Sequence, residues 1–185
     1  MVLLVLLAGV GVAWYALHQA MPGWYARLWF PLERVTAIHA EADRYDVDPA
    51  LVAAVIYEES GFVSDSRSSQ GAVGLMQVLP STARFVATLR PRPSPSPDRL
   101  AEPEVNIAYG TAYLHHLLDR YNDVPLALAA YNAGTANVDE WRAEANAEGR
   151  TLAVPEEIPF PETRSYVEDV VRTRDIYADA YADEL

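Results

Sequence analysis

Two neighbouring carboxylates close the stretch AVIYEESGF, residues 54–62, in which an apolar run ends in Glu58, Glu59, Ser60 and Gly61. A carboxyl group becomes chemically useful as a proton donor near neutrality when its surroundings disfavour the charged form and raise its pKa. Which of the two glutamates is in that position depends on the element that carries them. Asp48 is a good N-cap with Pro49 at the first helical position, and Gly61 is a stop, so the stretch reads as the end of a helix from Pro49 to about Ser60. With successive residues about 100° apart around the axis, Leu51, Val52, Val55 and Ile56 centre on one direction, and Glu59 falls within about 10° of it. Glu58 falls about 90° away, at the edge of the stripe and closer to solvent. Burial and the negative end of the helix dipole both act to raise the pKa of Glu59, the direction a general acid needs.

Around this helix the sequence is mainly α. Val35, Ile38, Ala42 and Tyr45 share one face of a preceding helix. Residues 62–79, FVSDSRSSQGAVGLMQVL, are rich in Ser and Gly and read as a structured loop or small β element, with Gly71 and Gly74 supplying unusual backbone angles. PSTARFVATL restarts helix, and the Pro-rich segment from Arg90 to Pro103 reads as an extended surface excursion. Ile107, Thr111, Leu114, Leu118 and Tyr121 mark a long amphipathic helix, PLALAAYNAG a short apolar one closed by Gly134, and TRSYVEDVVRTRDIYADAY a last one packing through Tyr166, Val170, Ile176 and Tyr177.

The 185 residues suit one globular domain, residues 31–185, behind an N-terminal segment, residues 1–30. Residues 2–17, VLLVLLAGVGVAWYAL, carry no charge; extended to Met21 they approach the roughly 20 residues a bilayer span requires. Trp24, Tyr25, Trp29 and Phe30 come next, rings suited to a membrane interface. A signal peptide would show a basic start and a small-residue cleavage site; neither is found before Pro22, so a transmembrane helix through residues 2–21 is expected. A formal charge of −12, with all 14 basic residues Arg, argues against duplex nucleic acid as a partner. With no cysteine, a disulfide framework, a thiol nucleophile and a Cys-based zinc site are excluded. His115 and His116 are adjacent on a helix and diverge, so they do not form a metal site, and no metal or cofactor is expected.

Taken together, EESGFVSDSRSSQGAVGLMQVLPSTA, NIAYGTAYLHHLL and ALAAYNAGTANV closely resemble the lytic transglycosylase family of lysozyme-like proteins, known by the soluble lytic transglycosylase (SLT) domain, from about Pro31 to at least Tyr166. The resemblance implies a lysozyme-like fold and makes Glu59, the glutamate before the serine, the single catalytic acid/base, in agreement with its place on the helix. It implies a peptidoglycan substrate, cut at the β-1,4 bond between N-acetylmuramic acid and N-acetylglucosamine, with a 1,6-anhydromuramoyl end as product. It also implies that the catalytic domain faces the cell wall, on the outer or periplasmic side of the cytoplasmic membrane.

By position in the family's motifs, Ser68 and Gln77 hydrogen-bond the sugar, Tyr131 lies next to Glu59 and donates to it, and Asn132 lines the same cleft. Ser60 either fixes Glu59 or caps the helix; Asn106 either binds sugar or serves the start of its helix; Met76 is either a cleft wall or core. PFPETRSYV fits the C-terminal signature, with Arg164 and Tyr166 holding the last helix to the domain. Two departures stand out: Thr135, where the family often has Pro, and the Pro-rich residues 91–97, which look like an insertion. The alternatives are a goose-type lysozyme-like hydrolase and a catalytically idle wall-binding scaffold.

Overall fold

Asp48 and Gly61 bound a helix as their types require. In the computed structural model, which describes residues 10–12, 14–18, 21–89 and 93–185, the Asp48 side chain accepts from Ala50 N at 2.9 Å, and Gly61 closes the helix with a left-handed φ of 58°. Among the described residues the named helices are α1 (Gly23–Trp29), α2 (Val35–Tyr45), α3 (Pro49–Ser60), α4 (Pro80–Leu89), α5 (Pro97–Leu100), α6 (Pro103–Tyr121), α7 (Val124–Ala133), α8 (Thr135–Ala147) and α9 (Pro161–Ala180). The expectation of a mainly α fold is met.

The centre of the fold is α3. Every residue from Ala50 to Ile56 is buried, as expected of a helix that is apolar all round. Its main partner is α9; α7, equally apolar, packs on α6, α8 and α9, and α2 lies across α3 and α6. Residues 61–79 form the loop between α3 and α4, where the expected β element amounts to two isolated antiparallel bridges, Arg67 with Val73 and Val73 with Val78.

Two parts differ from the expectation. The Pro-rich segment is not extended throughout: Pro97 starts the single-turn α5, its Ser96 cap accepting from Arg99 N at 3.4 Å, and α6 begins at Pro103. Proline at a first helical position costs nothing, because its missing N–H would have had no partner there. Helix α8 is an addition to the expected elements, although Val138, Trp141 and Ala145, its buried residues, have the three- and four-residue spacing of a helical face.

The expected membrane-spanning segment, residues 2–21, lies in part outside the described residues; among those described, no helix is long and apolar enough to cross a membrane. The next element, α1, is fastened to the domain. Its Arg27 donates from Nε to Ala180 O at 2.8 Å and from its two terminal nitrogens to both Glu184 oxygens at 2.8 and 2.9 Å, with its guanidinium 4.5 Å above the Tyr181 ring. Tyr57, Tyr177 and Tyr181 donate to the carbonyls of Trp29, Pro31 and Phe30. The expected division at residue 30 is thus bridged by hydrogen bonds, while Trp24, Leu28 and Trp29 keep an apolar face of α1 exposed.

Candidate active site

Glu59 sits in the last turn of α3, half-buried, with protein crowding most of its surroundings. Loss of hydration pushes its pKa from the ordinary 4.5 up to about 7; the Tyr166 hydroxyl pulls it partly back, and the negative charge of Glu58 adds to the rise. A carboxylic acid in this state holds its proton near neutrality and can deliver it. The Tyr166 hydroxyl is buried and makes no hydrogen bond of good geometry among the described residues, yet it lies close enough to the Glu59 carboxyl to stabilise its charged form. Burial and the neighbouring Glu59 raise the pKa of both Tyr131 and Tyr166, so both stay protonated as donors.

Glu58 differs from Glu59 in its partner, since both are half-buried. Its Oε1 accepts from the Thr173 hydroxyl of α9 at 2.6 Å, so it faces the α3–α9 contact and is not a solvated flank. Helical phase singles out the glutamate whose pKa is raised; its half-buried neighbour is held at the α3–α9 contact by Thr173.

The loop 61–79 is bolted down beside Glu59 by side chains from three helices. Ser60 donates to Leu75 O at 2.8 Å and to Ile56 O at 3.0 Å. Tyr131, at the end of α7, donates to Met76 O at 2.8 Å. Asn106 of α6 accepts from Met76 N at 2.7 Å and donates to Val73 O at 2.8 Å and Leu100 O at 2.9 Å. Gly74 is needed in this arrangement: its φ is 78°, and a Cβ there would overlap the Asn106 amide. Gln77 adopts a left-handed φ of 43°, a strained state for a residue with a side chain, costing about 1–2 kcal/mol. Its Nε2 offsets that strain by donating to Gly74 O at 2.8 Å and Ser66 O at 3.2 Å.

These bonds sort the expected site residues. Asn106 is fully buried with its amide fully engaged, so it does not reach sugar; it holds the loop. Met76 is also fully buried and fills the space over Gly110, where a Cβ would collide with its sulfur; it is core and not cleft wall. Ser60 positions the end of α3, spending its proton on carbonyls. The Tyr131 hydroxyl donates to the Met76 carbonyl and not to Glu59. Ser68 accepts from Ala72 N at 3.0 Å, which braces the turn and leaves its own proton to donate. Gln77, Tyr131 and Asn132 come together on a groove of about 220 Å³, with Val78, Leu79, Thr82 and Tyr113. Asn132 is oriented by Thr163, which donates to its Oδ1 at 2.7 Å. A larger concavity of about 570 Å³, between Arg34, Glu41 and Glu104, carries none of these residues, so chemistry and not size locates the site. Tyr166, expected to hold α9 to the domain, also lies beside Glu59, a neighbour that sequence reasoning missed; its position in the ETRSYV signature was the available signal.

The transglycosylase SLT domain family matches residues 36–154. The soluble lytic murein transglycosylase of Salmonella typhimurium is 37% identical over 128 residues, 68% of this chain and 20% of that protein. The membrane-bound lytic murein transglycosylase C of Haemophilus ducreyi is 34% identical over 176 residues, 82% of this chain and 46% of that protein. The crystal structure of an inactive Glu-to-Gln mutant of the lytic transglycosylase Slt from Pseudomonas aeruginosa superposes with a TM-score of 0.77 at 36% identity, covering 84% of this chain and 25% of that one. The chain therefore spans a fifth to a half of the length of these relatives, and their shared part is the one built around α3 and its loop. This chain belongs to the transglycosylase SLT domain family.

Proposed function

We propose that the protein is a peptidoglycan lytic transglycosylase in which Glu59 acts alone as acid and then base. The observation that carries this reading is the state of the two glutamates in the last turn of α3: Glu59 is raised to a pKa of about 7, while the adjacent carboxylate, Glu58, is turned to Thr173. A glycosidase using two carboxyl groups needs them on opposite sides of the scissile bond, and neighbouring residues on one helix do not provide that.

Protonated Glu59 gives its proton to the glycosidic oxygen as the C1–O bond breaks. The N-acetyl carbonyl of the substrate stabilises the positive charge at C1. The Glu59 carboxylate then takes the proton from the C6 hydroxyl of the same sugar, O6 bonds to C1, and the anhydro ring closes without consuming water. The nucleophile is held by its own sugar ring, so proximity replaces a second catalytic residue. Tyr166 beside Glu59 steadies the carboxylate between the two steps, and Ser68, Gln77 and Asn132 offer hydrogen bonds to the sugar. The inactivity of the Glu-to-Gln Pseudomonas relative supports a glutamate in this role.

Digestion of purified peptidoglycan and weighing of the released muropeptides tests the reading. Anhydro ends are expected. Ends heavier by one water would replace it with a goose-type hydrolase, and no release at all would leave a wall-binding scaffold.

The same reading places the enzyme on the outer side of the cytoplasmic membrane, held by residues 2–21. The uncharged run 2–17, the exposed Trp24, Leu28 and Trp29 of α1 and the membrane-bound Haemophilus relative support an anchor. Full-length protein should remain in the membrane pellet after alkaline carbonate extraction; recovery in the supernatant would sink the anchor.

A further inference from the structure

Helix α1 divides its residues between two environments. Ala26 belongs to the buried core, and the only charge of the helix, Arg27, is spent on Ala180 and Glu184. Trp24, Leu28 and Trp29 are instead 64%, 71% and 57% exposed. Tyr25, which the sequence groups with them, is buried; its ring lies 5.7 Å from Trp24 and 6.3 Å from Trp29, with His18 edge-on at 6.1 Å. Single exposed apolar side chains are ordinary. Three large ones on a seven-residue helix, with no charge among them, mark an interaction surface.

The chain leading into α1 identifies the partner. Val10, Val12, Trp14 and Tyr15, all within the uncharged run 2–17, are helical and exposed. Met21 N still bonds to Leu17 O at 3.0 Å, but Met21 has a left-handed φ of 39° and Pro22 is extended. The helical path therefore breaks there, and α1 starts as a separate element at Gly23. The chain from Leu17 to Gly23 reaches at most about 20 Å, so α1 is held close to the level at which an embedded run would leave the hydrocarbon. Its own length of about 10 Å is too short to cross a bilayer and suits a helix lying along one. Indoles, apolar rings with a single N–H, favour the headgroup level. A net charge of −12 and the committed Arg27 leave no basic surface on α1 for anionic lipid, so the attraction is apolar.

Resting on the proposed membrane anchor, we propose that Trp24, Leu28 and Trp29 of α1 lie in the lipid interface, a second membrane contact joined directly to the folded domain. The cysteine-free chain allows one nitroxide label at a time to test it, in full-length protein reconstituted into phosphatidylcholine vesicles. A label at Leu28→Cys should gain collisions with oxygen, which concentrates in the bilayer, and lose them with a water-soluble nickel chelate. A label at Ala147→Cys, exposed at the end of α8, should stay open to the chelate. Adding Trp24→Ser and Trp29→Ser should return the Leu28 label to water, in protein with native circular dichroism that still floats with the vesicles. A label still shielded in that variant overturns the contact, because the anchor alone would then be drawing α1 down. In the protein that retains both tryptophans, a Leu28 label open to the chelate while the protein floats overturns the contact and leaves the anchor standing; protein that does not float removes both. A label shielded from chelate and oxygen alike also overturns it, since a second copy or another part of this chain then covers the face.

Discussion

Thr173 donates a 2.6 Å hydrogen bond to Glu58 Oε1 across the α3–α9 contact, which holds a negative charge one residue away from the group proposed to do the chemistry. Because Glu58 is among the causes raising the Glu59 pKa, removing its charge should lower that pKa. In Glu58→Gln the descending limb of kcat/KM against pH, which reports the acid of the free enzyme, should move toward lower pH than in wild type. A limb that stays in place would mean that solvent screens the pair.

Tyr166 should act in the opposite sense. Its hydroxyl favours the charged form of Glu59, so Tyr166→Phe should move the limb toward higher pH. A variant that only loosened α9 would lower Tm without moving the limb, and the two measurements together separate positioning from packing.

Glu59→Gln should cost at least about 100-fold in kcat, the lower range for loss of general acid catalysis, and should also change stability in a pH-dependent way. The folded pKa of about 7 lies above that of the unfolded chain, so the folded state binds this proton more tightly. The resulting stabilisation is complete below the unfolded pKa and is lost as pH rises through about 7. Wild type should therefore lose about 2 kcal/mol over this interval, a figure reduced for the partial exposure of the side chain. Denaturant unfolding of the Gln variant should lack that loss; equal pH dependence in the two proteins would contradict the raised pKa.

Asn106→Ala leaves Met76 N, Val73 O and Leu100 O without their buried partner. The expected cost is about 3 kcal/mol, or roughly 10 °C in Tm. Activity measured well below the new Tm should fall too, because the Gln77 backbone depends on that anchored loop. Full activity with unchanged Tm would show that water satisfies these groups.

Much of this arrangement is legible in the residues. Asp48, Pro49 and Gly61 are local signals, and they set the limits of α3; the motif-bearing residues 54–79 and 129–134 lead to the groove that Gln77, Tyr131 and Asn132 share. The hidden part depends on contacts between distant segments. Asn106 has the right chemistry to bind a sugar, and only its burial against Val73 and Met76 shows that its hydrogen bonds are spent within the protein. The burial of Met76 depends on the absence of a side chain at Gly110, far along the chain. Glu58 has a partner that no local signal announces, because Thr173 comes from α9, the last named helix. Helix α8 escapes a reading of local signals because Gly134 ends α7 and caps α8 at once, with no side-chain cap to announce a new start.

Arg27 has a consequence beyond the residues it touches. With its fork on Glu184, its Nε on Ala180 and its face on Tyr181, α1 behaves as a strut and not as a leash. A leash would let the groove sweep a volume of its surroundings; a strut passes on its own heading, so any surface that grips Trp24, Leu28 and Trp29 also sets the direction and height from which Glu59 is approached.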